Sequence, residues 1–171
     1  MTYNIHPLFV HFPIALLLLY SAIKILPLHK WLPSVAWKHL ERVLLITGVL
    51  SAMVASSTGE VAEHLVRPDH DLVEMHALFA SASTWFYGLL LVGEVLYFIN
   101  PKITTRFGSS YVTKLLGFVQ KVLTNRAVTL ILAILGLVAI SLTGLLGGVM
   151  VYGVTADPLA PIVLDILGIS Y

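Results

Sequence analysis

The chain has 171 residues, of which 58% are hydrophobic and only 11% charged, and its formal net charge is +1. A soluble domain carries about 25% charged residues. The deficit therefore indicates a protein solvated by lipid, and the small net charge without a Lys/Arg run argues against nucleic acid as a partner. There is no cysteine, which excludes disulfides, thiolate-bound zinc or iron–sulfur sites and covalent c-type haem attachment, and leaves His, Asp, Glu, Met and Tyr as ligands.

Crossing the hydrocarbon core takes roughly 20 apolar residues in a helix. Four segments are long enough, at residues 7–28, 40–66, 71–99 and 126–152. The fold class expected is all-α: one integral membrane four-helix bundle over residues 1–171, with no internal repeat.

No Lys or Arg precedes the first segment and no small-residue cleavage pattern follows it, so it reads as a retained span rather than a cleaved signal. Pro7 suits a first helical position. Pro13 lies deeper and predicts a kink or a late helix start. The second segment carries Gly48, Ala52, Ala55, Ser56 and Gly59 at helical spacing, which lets a helix or a flat ligand approach its backbone. Its polar last turns hold Glu60, Glu63 and His64, and Pro68 stops it. The third segment has Asp71 and Glu74 in its first turn, where they complement the helix dipole, and it is predicted to end at Asn100-Pro101.

Residues 111–125 place Val112, Leu115, Leu116, Val119 and Val122 together, predicting an interfacial helix before the fourth span. The fourth span contains Gly144, Gly147 and Gly148. A Gly-x-x-x-Gly spacing suits close contact with another copy of the chain, with a helix of the same chain or with a cofactor. The apolar tail after Asp157 is expected to lie on the membrane surface or to pack over the site.

Nine of the ten basic residues lie in the first and third connections or beside them; only Arg67 falls on the opposite side. The positive-inside rule makes the nine-residue side cytoplasmic, in the cell membrane, with both termini outside. His6, His11, His64, His70 and His76 then lie toward the outer leaflet.

An ionisable side chain at membrane depth calls for a partner. At about 1.5 Å of rise per residue, His11 and His76 come to similar depth on two helices, and His6 and His64 form a shallower pair. Paired imidazoles on facing helices suit a b-type haem, one or two, with His11 and His76 as the first choice of axial ligands. Arg67 is the candidate to neutralise the propionates. The same four histidines with Glu60 or Glu63 could instead hold zinc, copper or non-haem iron, with Glu60 orienting His64. Neither the Glu-x-x-His pattern of di-iron bundles nor H-E-x-x-H is present. In a third reading the histidines only hydrogen-bond, in an accessory membrane subunit. His29, His39 and His70 lie in or beside polar loops. Glu94 reads as a snorkelling or interface-paired acid rather than a proton relay, and Met53, Met75 and Met150 as core filler. No nucleophile–base pair or phosphate loop is visible.

The opening His6-Pro7-Leu8-Phe9-Val10-His11-Phe12-Pro13-Ile14-Ala15-Leu16 resembles the H-P-x-x-V-H-F-P-I-A-L start of a family of four-helix prokaryotic membrane proteins of unknown function. Thr58-Gly59-Glu60 with His64, His76-Ala77, Gly147-Gly148 and Val151-Tyr152-Gly153 extend the resemblance. Members of that family are sometimes fused to cytochrome c-like domains. The resemblance implies a redox setting, haem binding and His6, His11, His64 and His76 as the functional histidines. This chain carries no fused c-type domain, so its electron partner is expected to be a separate protein at the outer face. Electron transfer rather than substrate transformation is the expected role.

Overall fold

A computed structural model describes residues 4–66, 69–108 and 110–169. Seven α-helices follow in chain order: α1 His6–Ile25, α2 Leu28–Trp31, α3 Trp37–Val66, α4 His70–Phe107, α5 Tyr111–Leu123, α6 Arg126–Tyr152 and α7 Ala160–Leu167. Four of them, α1, α3, α4 and α6, are long and apolar enough to cross a membrane, and the protein is an all-α membrane bundle. Between 22% and 33% of each spanning window is buried inside the protein. Most of the remaining apolar surface must therefore be covered by lipid acyl chains.

Helix ends follow local chemistry. Asn4 accepts a hydrogen bond from the His6 backbone N–H, with Pro7 in the first turn of α1. The helix runs unbroken through Pro13, so the late start predicted from this proline does not occur. Pro13 is buried, and packing against neighbouring helices lets the span continue past the lost amide. At the other end Leu26 is extended, as the residue before Pro27 must tend to be, and the span stops short of the predicted residue 28. Asp69 caps α4 by accepting from the Asp71 and Leu72 amides. Ser110 and Thr113 form a capping box on α5, and Asn125 caps α6.

Helix α4 does not end at Asn100-Pro101. It carries Pro101 inside and continues to Phe107, with Gly108 in a positive-φ conformation at its end. Its 38 residues span about 57 Å at 1.5 Å per residue, far more than the roughly 30 Å hydrocarbon core. Helix α5 packs back along α4: the Asn100 amide donates to Gln120 Oε1 at 2.8 Å, and Gly93 lies against Leu123. Leu116, Val119 and Leu123 are half-buried, whereas Val112, Leu115, Phe118 and Val122 remain exposed. This amphipathic helix before the fourth span thus keeps an apolar stripe outside.

Helices α1 and α4 each pack on both α3 and α6, so α1 and α4 face each other across the diagonal of the bundle. The main core joins Leu17 and Tyr20 of α1, Leu45 and Val49 of α3, Tyr87 and Leu90 of α4, and Ala133 and Ile140 of α6. Tyr87 is fully buried and polar at its tip. Its hydroxyl lies 2.7 Å from Ser21 Oγ and donates to the Leu17 carbonyl at 3.3 Å. The ring fits because α6 has no side chain at Gly136: a Cβ there would sit 2.8 Å from Tyr87 Cζ. A second cluster packs Leu164 of α7, with Ala160 and Ile169, onto Leu146 and Val149 of α6 and onto Leu72, Met75 and Phe79 of α4. The tail therefore packs over one end of the α4–α6 pair.

Two ion pairs tie the basic end of the bundle, Lys24–Glu41 at 2.7 Å and Arg42–Glu94 at 3.0 Å. Glu94 is interface-paired, as its sequence position suggested. Overfilling a packed core costs roughly 1–3 kcal/mol. Gly136→Val is expected to destabilise the purified protein by about that amount, read as a lowered Tm in detergent. Gly88→Ala, whose added Cβ meets nothing within 4 Å, should leave Tm unchanged or slightly raised.

Candidate functional site

The end of the bundle opposite those ion pairs carries the histidines. His6 opens α1 and is half-buried. Its Nδ1 lies 3.0 Å from Thr58 Oγ1 of α3. The Thr58 hydroxyl donates its proton to the Ala55 carbonyl at 2.9 Å, so toward the imidazole it can only accept. Nδ1 of His6 therefore carries the proton, and Nε2 keeps a free lone pair.

His76, in the second turn of α4, is held in the same way by α6. Its Nδ1 lies 3.0 Å from the Thr143 carbonyl. A carbonyl cannot donate, so His76 is also an Nδ1–H tautomer with a free Nε2. Thr143 turns its own hydroxyl to the Ala139 carbonyl.

Each ring lies over a glycine of the helix that anchors it. A Cβ on Gly59 would approach His6 Cε1 to 3.2 Å, and one on Gly147 would approach His76 Cε1 to 3.3 Å. Gly144 gives close passage to Ile14 of α1. The Gly144 and Gly147 positions are thus occupied by contacts within the chain. The two imidazoles come from diagonal helices, and the two intervening helices position them.

The other predicted site residues are placed differently. His11 is exposed, and its Nδ1 bonds back to the Pro7 carbonyl of its own helix at 2.6 Å. His64, Glu60 and Glu63 are exposed, and no hydrogen bond joins Glu60 to His64. Among the described residues no group of three or more His, Asp or Glu side chains gathers as a metal site, so the four histidines do not form one cluster. Arg67, expected to neutralise propionates, lies outside the described residues. His70 is exposed at the start of α4.

Depth along each helix put His11 beside His76, but depth ignores helical phase. Five residues turn a helix by about 500°, leaving His6 and His11 about 140° apart around α1. They cannot both face the bundle axis. The phase set by Leu17 and Tyr20 in the core turns His6 inward and His11 out. Sequence reasoning also missed the anchoring roles of Thr58 and Thr143. The Thr58-Gly59 pair stood beside a small-residue stretch and was a readable signal. The Thr143 contact uses a backbone carbonyl, which has no sequence signature.

Comparison with family models, curated proteins and solved structures finds no match to this chain.

The tautomers can be observed directly. In protein labelled with ¹⁵N-histidine at neutral pH and free of metal and haem, NMR should show His6 and His76 protonated at Nδ1 and bare at Nε2. Thr58→Val should abolish that preference for His6 and leave His76 unchanged. A proton on Nε2 of either ring in the parent protein would contradict the assigned network.

Proposed function

We propose that this chain is a membrane b-type cytochrome that transfers electrons, with one haem b held between His6 and His76. The observation that carries the reading is the donor set: two imidazoles from diagonal helices, both with Nδ1 anchored and Nε2 free. A porphyrin brings four nitrogens of its own and needs only one or two ligands from the protein, which His6 and His76 would supply. Structural zinc asks for four protein ligands, and catalytic zinc for three. A pair without a third ligand among the described residues suits haem better than a bare ion.

The chain's own residues would do three things. Thr58 and the Thr143 carbonyl would fix ring orientation and raise imidazole basicity, as second-layer hydrogen bonds to ligating histidines do. Gly59 and Gly147 would keep the helix backbones close beside the rings. Phe79, Met75 and the α7 cluster would keep that end of the bundle apolar, which disfavours extra charge on a bound group. Haem, when bound, supplies reversible one-electron chemistry at iron. His11 and His64 have no ligand role in this reading, and one haem is proposed rather than two.

The resemblance of the opening motif to a family with cytochrome c-fused members supports a redox role. The distribution of Lys and Arg supports a cell-membrane location with both termini and the histidine end outside. A separate redox protein would then dock at the outer face.

Purified after expression with ample haem, the protein is expected to show a Soret band and a sharpened α-band on dithionite reduction. His6→Ala and His76→Ala should each remove or strongly shift these bands, while His11→Ala and His64→Ala should retain them. A colourless, folded protein would refute the reading. Zinc, copper or non-haem iron on elemental analysis would point to a metal-handling role instead. Unchanged stability of the double variant His6→Ala/His76→Ala would remove a purely structural role for the pair.

A further inference from the structure

A cavity of about 220 Å³ opens at the basic end of the bundle, away from His6 and His76, where α1, α4, α5 and the start of α6 meet. Its polar lining is Tyr20, Lys24, Glu94, Thr124, Arg126 and Thr129. We propose that this cavity binds the oxyanion of a phosphate group, free or as the headgroup of a phospholipid.

Charge accounting gives the sign of the ligand. Lys24 is matched by Glu41 and Glu94 by Arg42. Arg126 has no carboxylate within salt-bridge distance among the described residues, and the site carries its surplus positive charge. Hydrogen-bond accounting gives the ligand's polarity. Thr124 and Thr129 already donate their hydroxyl protons to the Gln120 and Arg126 carbonyls. Tyr20 is different. It is 98% buried, lines the cavity, and its hydroxyl bonds to no described residue, yet it is not among the fully enclosed atoms. A buried hydroxyl without a partner costs stability unless something in the open space accepts from it. The donors left over are therefore the Tyr20 hydroxyl, the Arg126 guanidinium and the remaining Lys24 protons, and all three suit an anionic oxygen. Arg in particular matches phosphate by paired hydrogen bonds.

Size agrees with this chemistry: about 220 Å³ leaves room for a phosphate and its ester oxygens. A lipid would place its headgroup here and its chains along the apolar outer surface.

The test uses the full-length protein, delipidated in detergent and titrated with phosphatidylglycerol, with diacylglycerol as the phosphate-free control, and read by native mass spectrometry. Phosphatidylglycerol should bind and diacylglycerol should not. Arg126→Gln and Tyr20→Phe should each weaken binding by about tenfold, the loss expected for one charge-assisted or buried hydrogen bond. Lys114→Gln with Lys121→Gln, on exposed positions of α5, should leave it unchanged. Competition by inorganic phosphate identifies the free ion as sufficient; failure to compete assigns the site to a lipid headgroup. Binding of neither phosphatidylglycerol nor phosphate overturns the proposal. So does equal binding by the parent protein and a folded Tyr20→Phe variant, which keeps the aromatic ring and removes only the hydroxyl.

Discussion

Lipid offers no hydrogen bonds, so each polar atom inside this bundle must find its partner within the protein or in something the protein holds. That constraint orders the molecule along its axis. In the middle, the Tyr87 and Ser21 hydroxyls lie 2.7 Å apart, and their two protons are shared between that contact and the backbone carbonyls of Leu17 and Ala133. At the basic end, two ion pairs link α1 to α3 and α3 to α4. At the other end, Thr58 and the Thr143 carbonyl each take one proton from a histidine. Among the described residues this leaves over the Nε2 atoms of His6 and His76, the hydroxyl of Tyr20 and, beside α5, the Oδ1 of Asn100.

Glycine makes the arrangement possible. Gly136 admits the Tyr87 ring, Gly59 the His6 ring and Gly147 the His76 ring. In each case an aromatic ring from one helix lies over a bare stretch of the next, which allows the close approach that membrane helices use in place of a hydrophobic driving force. A polar ring can then be packed tightly while its hydrogen bond is retained, as for Tyr87 with Ser21 and His76 with Thr143.

The four spans were legible because lipid solvation imposes a long apolar run on each. The ends were harder. Pro101 suggested a stop, but α4 continues through it to Phe107, with α5 packed against the turns before it. Pro13 suggested a kink or a late start, but α1 begins at His6 and, packed on α3 and α6, runs on through it. Of the site, the histidines and the small residues were legible as residue types. Their pairing was not, because sequence spacing gave depth while rotation about α1 decides which ring faces inward. His6 rather than His11 follows from the phase of Leu17 and Tyr20, a fact about the core rather than about the site.

The central claim is that His6 and His76 together bind one iron, and the spin state of that iron tests it most directly. Two imidazole ligands make ferric haem low-spin, whereas loss of one leaves a weaker field and a high-spin signal. Electron paramagnetic resonance of the oxidised protein should show a low-spin species, with one haem per chain. That species should convert to high-spin, or lose its haem, when either His6 or His76 is replaced by alanine. A low-spin signal that persists in both single variants, or an absence of haem iron from well-folded, haem-supplied protein, would contradict it.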